Sequence, residues 1–134
     1  MFDPNEIPSV RSEELLARSI VVSSWFRSSD NTVKPDAFMP HPYIELSMTR
    51  HDQATEEELW TDCRRIAALR KKTLYGRADV EVAVFEVQGL VVEATPIPEN
   101  PNHANAKNWP AEKSEQKAKA LEIALKARFL PAPR

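Results

Sequence analysis

The sequence predicts a single α+β domain: a mostly antiparallel sheet of about four strands with two main helices packed on it, in the order β-β-α-β-β-α. Three observations carry that prediction. Residues 79–97 alternate Val80, Val82 and Val84 against Asp79, Glu81 and Ala83, break at Gln88-Gly89 and resume as Leu90-Val91-Val92, the pattern of a two-stranded hairpin. Residues 55–72 repeat apolar positions at helical spacing behind a capping-box pattern. Of the 11 prolines, ten fall outside these two segments and the other, Pro96, lies at the very end of the first, past its last alternating residue, as residues with fixed φ and no N–H donor should.

Each element can be justified in turn. Residues 1–11 have no period and read as a loose amino-terminal arm. Ser12 is placed to cap a short helix, but Ile20-Val21-Val22 and Trp25-Phe26 favour a strand from about Ala17 onward. A polar loop leads to Pro35 and to Ala37-Phe38-Met39, one helical turn tucked under the sheet. His41 lies between Pro40 and Pro42, ahead of a second strand that sets Ile44, Leu46 and Met48 against Tyr43, Glu45 and Ser47. The clearest helix begins at Thr55, where Glu58 completes the capping box and Glu56 and Glu57 suit the positive end of the dipole. Its stripe is Leu59, Cys63 and Ile66, widened by Trp60 and Ala67, and it ends in Arg70-Lys71-Lys72. The hairpin follows, then a long loop at 96–110. A last helix runs over 110–129 with Ala118, Leu121, Leu125 and Phe129 on its buried stripe, and both helices are expected on one face of the sheet.

Composition narrows the function classes. The 134 residues match the length of one ordinary domain. Eighteen basic against 20 acidic residues give a net charge of −2, which supplies no global field for a polyanion. Arg64, Arg65, Arg70, Lys71, Lys72 and Arg77 form one basic cluster, and the lysines of the last helix with Arg128 and Arg134 another. Interspersed acids and dipole complementarity make these solvated faces, so nucleic-acid binding is not expected. The single cysteine, Cys63, excludes an intramolecular disulfide and suits a reducing compartment, with the cytoplasm as the expectation. The first residues lack the basic region and apolar run of an export signal, and no apolar run approaches the roughly 20 residues that span a bilayer.

The residues that carry chemistry are few. His41, His51, His103 and Cys63 show no metal-ligand spacing, so neither metal nor cofactor is expected. Cys63 points into the core, and two glycines cannot build a nucleophile elbow or a phosphate loop. The candidate ligand-binding residues are Arg27, Ser47, Arg50, His103 and Trp109. If the first two strands pair, Arg27 and Arg50 face one anion with His103 as acid or base over it. With Ser47-Met48-Thr49 and Glu81 or Glu86, this set resembles the Arg, Ser-x-Thr, Glu pattern of ADP-ribosyltransferases. The competing account pairs the arginines with Glu45 or Asp52, and has Trp109 anchor the loop to the core.

Trp25-Phe26-Arg27, Ala37-Phe38-Met39-Pro40, Glu45-Leu46-Ser47, Tyr75-Gly76-Arg77-Ala78, His103 and Trp109-Pro110 make the chain resemble a set of small uncharacterised bacterial proteins. The resemblance implies a standalone cytoplasmic domain without an assigned activity. The leading expectation is a small binding or interaction domain that uses the 96–110 loop and the sheet face beside it, taking a protein partner or a small anionic ligand. The alternative is a small enzyme acting on a phosphorylated or nucleotide substrate around Arg27, Arg50 and His103. A third reading is a homodimer formed through an uncovered sheet face or edge strand.

Overall fold

The structure, a computed structural model, describes residues 7–40 and 45–133. In chain order it contains β1 (Leu15–Ile20), β2 (Phe26–Arg27), β3 (Thr32–Val33), β4 (Leu46–Arg50), α1 (Glu56–Leu69), β5 (Gly76–Glu81), α2 (Val82–Val87), β6 (Val91–Ala94), β7 (His103–Lys107), α3 (Lys113–Lys126) and β8 (Arg128–Pro131). Two 3-10 turns, Ser23–Trp25 and Pro35–Phe38, bracket the β2–β3 ribbon. Six strands form one sheet in the spatial order β6-β7-β4-β1-β5-β8, with every pair antiparallel. The α+β class stands, but among the described residues the main sheet has six strands where about four were predicted, and there are three α-helices where two were. His41 and the predicted strand start at Tyr43 and Ile44 lie outside the described residues.

Period-two alternation gives the sheet two different faces. On one, Leu16, Ile20, Met48, Val80, Ala104 and Ala106 are buried with Val82 and Phe85 of α2, Ala120 and Ile123 of α3, and Phe38 from the second 3-10 turn. Each such large side chain contributes roughly 1.5–3 kcal/mol on full burial. The other face is polar and meets α1: Ser19 donates to the Cys63 sulfur, Thr49 to Asp62, and the Arg77 guanidinium lies 4.7 Å from the Trp60 ring centroid. Helices therefore cover both faces, correcting the one-sided layout predicted. The polar α1 face is what leaves room for a site.

Local chemistry explains the elements. At the start of α1, Thr55 Oγ1 accepts from the Glu58 N–H while the Glu58 carboxylate accepts from the Thr55 N–H, so the predicted capping box is formed. The predicted 79–97 hairpin is not formed. The strand stops at Glu81, the Val82 and Ala83 N–H groups are taken by the Glu14 and Ser12 carbonyls, and the chain turns into α2 with Val82 and Phe85 buried one turn apart. Gln88-Gly89 is the end of that helix. Gly89, at φ +80°, donates to Glu86 O, and Leu90 donates to Phe85 O, the paired bonds of a Schellman motif with Phe85 and Leu90 both in the core.

Two further expectations are corrected. The 96–110 segment contains β7, paired on both sides, in which Ala104 and Ala106 are fully buried and His103 and Asn105 alternate to the other face. In α3 the buried stripe is Gln116, Ala120, Ile123 and Ala124, while Leu121 and Leu125 are exposed. Small alanines let α3 settle closely on the Pro35–Phe38 turn, and the leucines do not fit that contact. The chain then leaves the helix at Ala127 into β8, which crosses Gly76 so closely that a Cβ there would collide with the Leu130 carbonyl and the Phe129 ring. Near the other end of the chain, the Pro8 and Ser9 carbonyls accept from the buried Arg50 guanidinium.

Candidate functional site

The central strands do not run together along their whole length. β1 pairs with β4 only at Leu16↔Arg50 and Ala17↔Thr49, whereas β1 continues to Ile20 against β5 and β4 reaches back to Leu46 against β7. Beyond Ala17 the two strands part, and the Arg18 guanidinium bridges the gap. Its Nη1 donates to Ser47 O at 3.1 Å and its Nε to Ala37 O at 2.9 Å, with the Trp25 ring centroid 5.2 Å away. Above the gap lies a cleft of about 220 Å³, roofed by the carboxyl end of α1. Its polar lining comes from Arg18 at the floor, whose side chain leaves β1 on the Leu16 and Ile20 face opposite α1, and from Arg65, Arg70, Ser47, Thr49 and His103, and its apolar walls include Ile66, Leu69 and Ile97.

Among the described residues, no aspartate or glutamate lines this cleft. Arg18 is partly buried, and burial together with the nearby Arg70 charge pushes its pKa down to about 10. Its hydrogen-bond acceptors are carbonyl oxygens only, and no carboxylate among the described residues offsets its charge. Arg65 differs, since its Nε and Nη2 reach Asp62 Oδ1 at 3.1 and 2.7 Å. The exposed Arg70 is the C-cap of α1. That helix end carries about half a negative charge, which opposes an anion, but two full positive charges at Arg18 and Arg70 outweigh it.

The remaining polar groups are fixed by their neighbours. Ser47 Oγ donates to Asn105 Oδ1 at 3.0 Å, and Asn105 Nδ2 donates to Glu45 at 3.1 Å. Thr49 Oγ1 donates to Asp62 at 2.7 Å and accepts from Asn100 Nδ2 at 2.9 Å. His103 Nδ1 lies 3.0 Å from Thr95 O and 2.8 Å from Thr95 Oγ1. Burial pushes the His103 ring below its ordinary value, with Arg65 adding to that and the Thr95 carbonyl, Asp62 and Glu45 opposing it.

Of the five residues predicted from the sequence, Ser47 and His103 meet in the cleft and three lie elsewhere. Arg27 is exposed on the β2–β3 ribbon and pairs with Asp30 at 3.3 Å, because the Ser23–Trp25 turn carries the chain off the main sheet. The Arg50 guanidinium is committed: Nε and Nη2 bind Glu14 at 2.6 and 3.0 Å, and Nη1 binds Pro8 O at 2.7 Å. Trp109 is buried with its Nε1 donating to Ala106 O at 3.0 Å, which makes it an anchor. The grouping of Arg27, Arg50 and His103 is therefore not assembled. Nor does Glu86 approach Ser47, since it accepts from Ser12 Oγ on α2, across the sheet from α1.

A second charged cluster is closed on itself. Arg77, 1% exposed, binds Glu56 and Asp79 and stacks on Trp60, and Asp79 also meets His51 Nε2 at 3.0 Å. Burial pushes the Cys63 thiol up, against the Ser19 hydrogen bond, which leaves it a poor nucleophile. No helix among the described residues is long and apolar enough to cross a membrane. Of the cleft arginines, Arg65 and Arg70 were placed by the sequence in a basic cluster expected to be a solvated face, and Arg18 was not singled out. The readable signal was an arginine inside the otherwise strand-like run Leu15-Leu16-Ala17-Arg18-Ser19-Ile20.

No family model, curated protein or solved structure matches the chain.

Proposed function

We propose that this protein is a small binding domain that takes up a small organic anion in the cleft between β1, β4 and the carboxyl end of α1. The observation that supports this reading most is a lining of three arginines and a histidine with no carboxylate, in which Arg18 has no countercharge among the described residues. A partly buried cation held only by carbonyls lacks the neighbour that favours its charged form, and an anion in the cleft supplies it. Each charge-assisted hydrogen bond so formed contributes roughly 1.5–3 kcal/mol. The volume of about 220 Å³ favours a molecule of a few heavy atoms. It falls below the roughly 300–1,000 Å³ of pockets that enclose drug-sized ligands, which speaks against a whole nucleotide. Ile66, Leu69 and Ile97 offer contact to a short apolar portion.

Thermal unfolding tests this reading. Inorganic phosphate and short-chain carboxylates are added to the wild type and to Arg70→Ala, whose exposed side chain can be removed without opening the core. A ligand present at 100 times its Kd stabilises the native state by roughly 2.7 kcal/mol, a rise of several degrees in Tm. The wild type is expected to show that rise and Arg70→Ala to need about ten times more ligand for it, the loss of one charged contact. No rise with any anion, or an identical rise in the variant, counts against the proposal.

A further inference from the structure

We propose that the anion held in the cleft is a small hydroxy acid, whose hydroxyl group donates a hydrogen bond to His103 Nε2. This rests on the anion-binding reading of the same cleft and names its ligand class. Thr95 and His103 are adjacent across the β6–β7 ladder, where the Thr95 N–H donates to His103 O at 2.9 Å, so backbone pairing holds the Thr95 carbonyl beside the ring. A carbonyl oxygen only accepts, and its 3.0 Å contact assigns the ring proton to Nδ1. The Thr95 hydroxyl lies 2.8 Å from the same nitrogen. In the neutral ring the lone pair is therefore on Nε2.

No described residue uses that lone pair. Nε2 has no hydrogen-bond partner among the described residues, and no buried side-chain nitrogen or oxygen among them lacks a partner, so Nε2 is open to the solvent of the cleft that His103 lines. The other groups there have different roles. Arg18, Arg65 and Arg70 only donate, the Ser47 hydroxyl proton is held by Asn105, and Thr49 is engaged by Asp62 and Asn100. The lining thus offers cationic donors for a carboxylate and a nitrogen acceptor beside them. An anion with acceptors alone sets its lone pairs against Nε2. Protonating the ring removes that conflict, but burial and Arg65 of α1 oppose the cation more than Asp62 of α1, Glu45 before β4 and the Thr95 carbonyl favour it. A hydroxyl next to the carboxylate satisfies both halves of the cleft at once.

The test is calorimetric titration of lactate, propionate and inorganic phosphate into the wild type, His103→Phe and His103→Gln at about pH 7.5, where the unperturbed ring is neutral. Lactate and propionate differ at C2 by the hydroxyl. The wild type is expected to bind lactate about tenfold more tightly than propionate, the worth of one well-made hydrogen bond. His103→Phe keeps the ring volume without the acceptor and brings that ratio to about one, while His103→Gln, whose amide oxygen accepts, restores part of it. If His103→Phe does not fold, His103→Leu, which also removes the acceptor, serves instead. Equal affinities in the wild type, or a preference untouched in the variant that lacks the acceptor, overturn the proposal. Phosphate binding without either carboxylate overturns it too and leaves the anion reading standing, whereas no binding of any of the three removes both.

Discussion

Arg18 and Arg50 belong to neighbouring strands of one sheet and meet opposite fates. Arg50 is answered by Glu14, where burial opposes ionisation but the hydrogen bond from Arg50, the Arg11 N–H and the charges of both arginines outweigh it and hold the carboxyl below its ordinary range. Arg18 is answered by carbonyls alone. Removing Arg50 strands a buried carboxylate, so Arg50→Ala is expected to destabilise the fold by about 3–5 kcal/mol in urea unfolding. Arg27→Ala, which loses only a surface pair with Asp30, should stay within about 1 kcal/mol. Near-equal losses in the two variants would contradict these roles. The sequence singles out Arg27 and Arg50 and not Arg18, because the partner that neutralises Arg50 lies 36 residues away and nothing local announces it. Ser47 was legible as a polar position on an alternating strand and His103 as a polar residue of the 96–110 loop. That they face one cleft depends on the β4–β7 register, which pairs Ser47 with Asn105 and Thr49 with His103.

Elements with strong local signals were legible, and those decided by packing were not. The α1 cap was readable because Thr55 and Glu58 satisfy each other within one turn. The Val82–Val87 segment was not, because its valines alternate like a strand while Val82 and Phe85 also sit one helical turn apart, and the Gly89 cap at positive φ decides between them. α3 presents two stripes, and hydropathy chose the wrong one: Leu121 and Leu125 are larger than the alanines, yet close approach to the Pro35–Phe38 turn selects Ala120 and Ala124. Truncation separates the two stripes. Ile123→Ala, at a fully buried position, is expected to lose about 2–5 kcal/mol. Leu125→Ala, 67% exposed, should change stability by less than about 0.5 kcal/mol. Urea midpoints in the reverse order would mean that the leucine stripe is the packed one.

At the scale of the molecule, the α+β class and a sheet with covering helices follow from composition and periodicity, whereas the strand order and the two-sided covering come from long-range pairing that no local window contains. The charge pattern of that assembly sets its response to acid. The folded His103 ring titrates below its ordinary 6.5, so the unfolded chain takes up this proton first and stability begins to fall as pH drops below about 6.5. Glu14 and Asp79 also titrate below their ordinary 4.5 and 3.8. At Asp79, burial opposes ionisation and the His51 and Arg77 hydrogen bonds outweigh it. Their contribution is complete above those ordinary values and is lost as pH falls through the lower folded ones. Unfolding free energy measured against pH should therefore decline in two stages, with the first absent in His103→Phe. The central claim, an anion site at Arg18, Arg65 and Arg70, is tested most directly by following the arginine Nε–Hε resonances in a nuclear magnetic resonance titration with lactate and with phosphate. The account predicts saturable shifts at those three arginines and none at Arg27 or Arg50. Shifts confined to Arg27 or Arg50, or none at Arg18 and Arg70 for any anion, would contradict it.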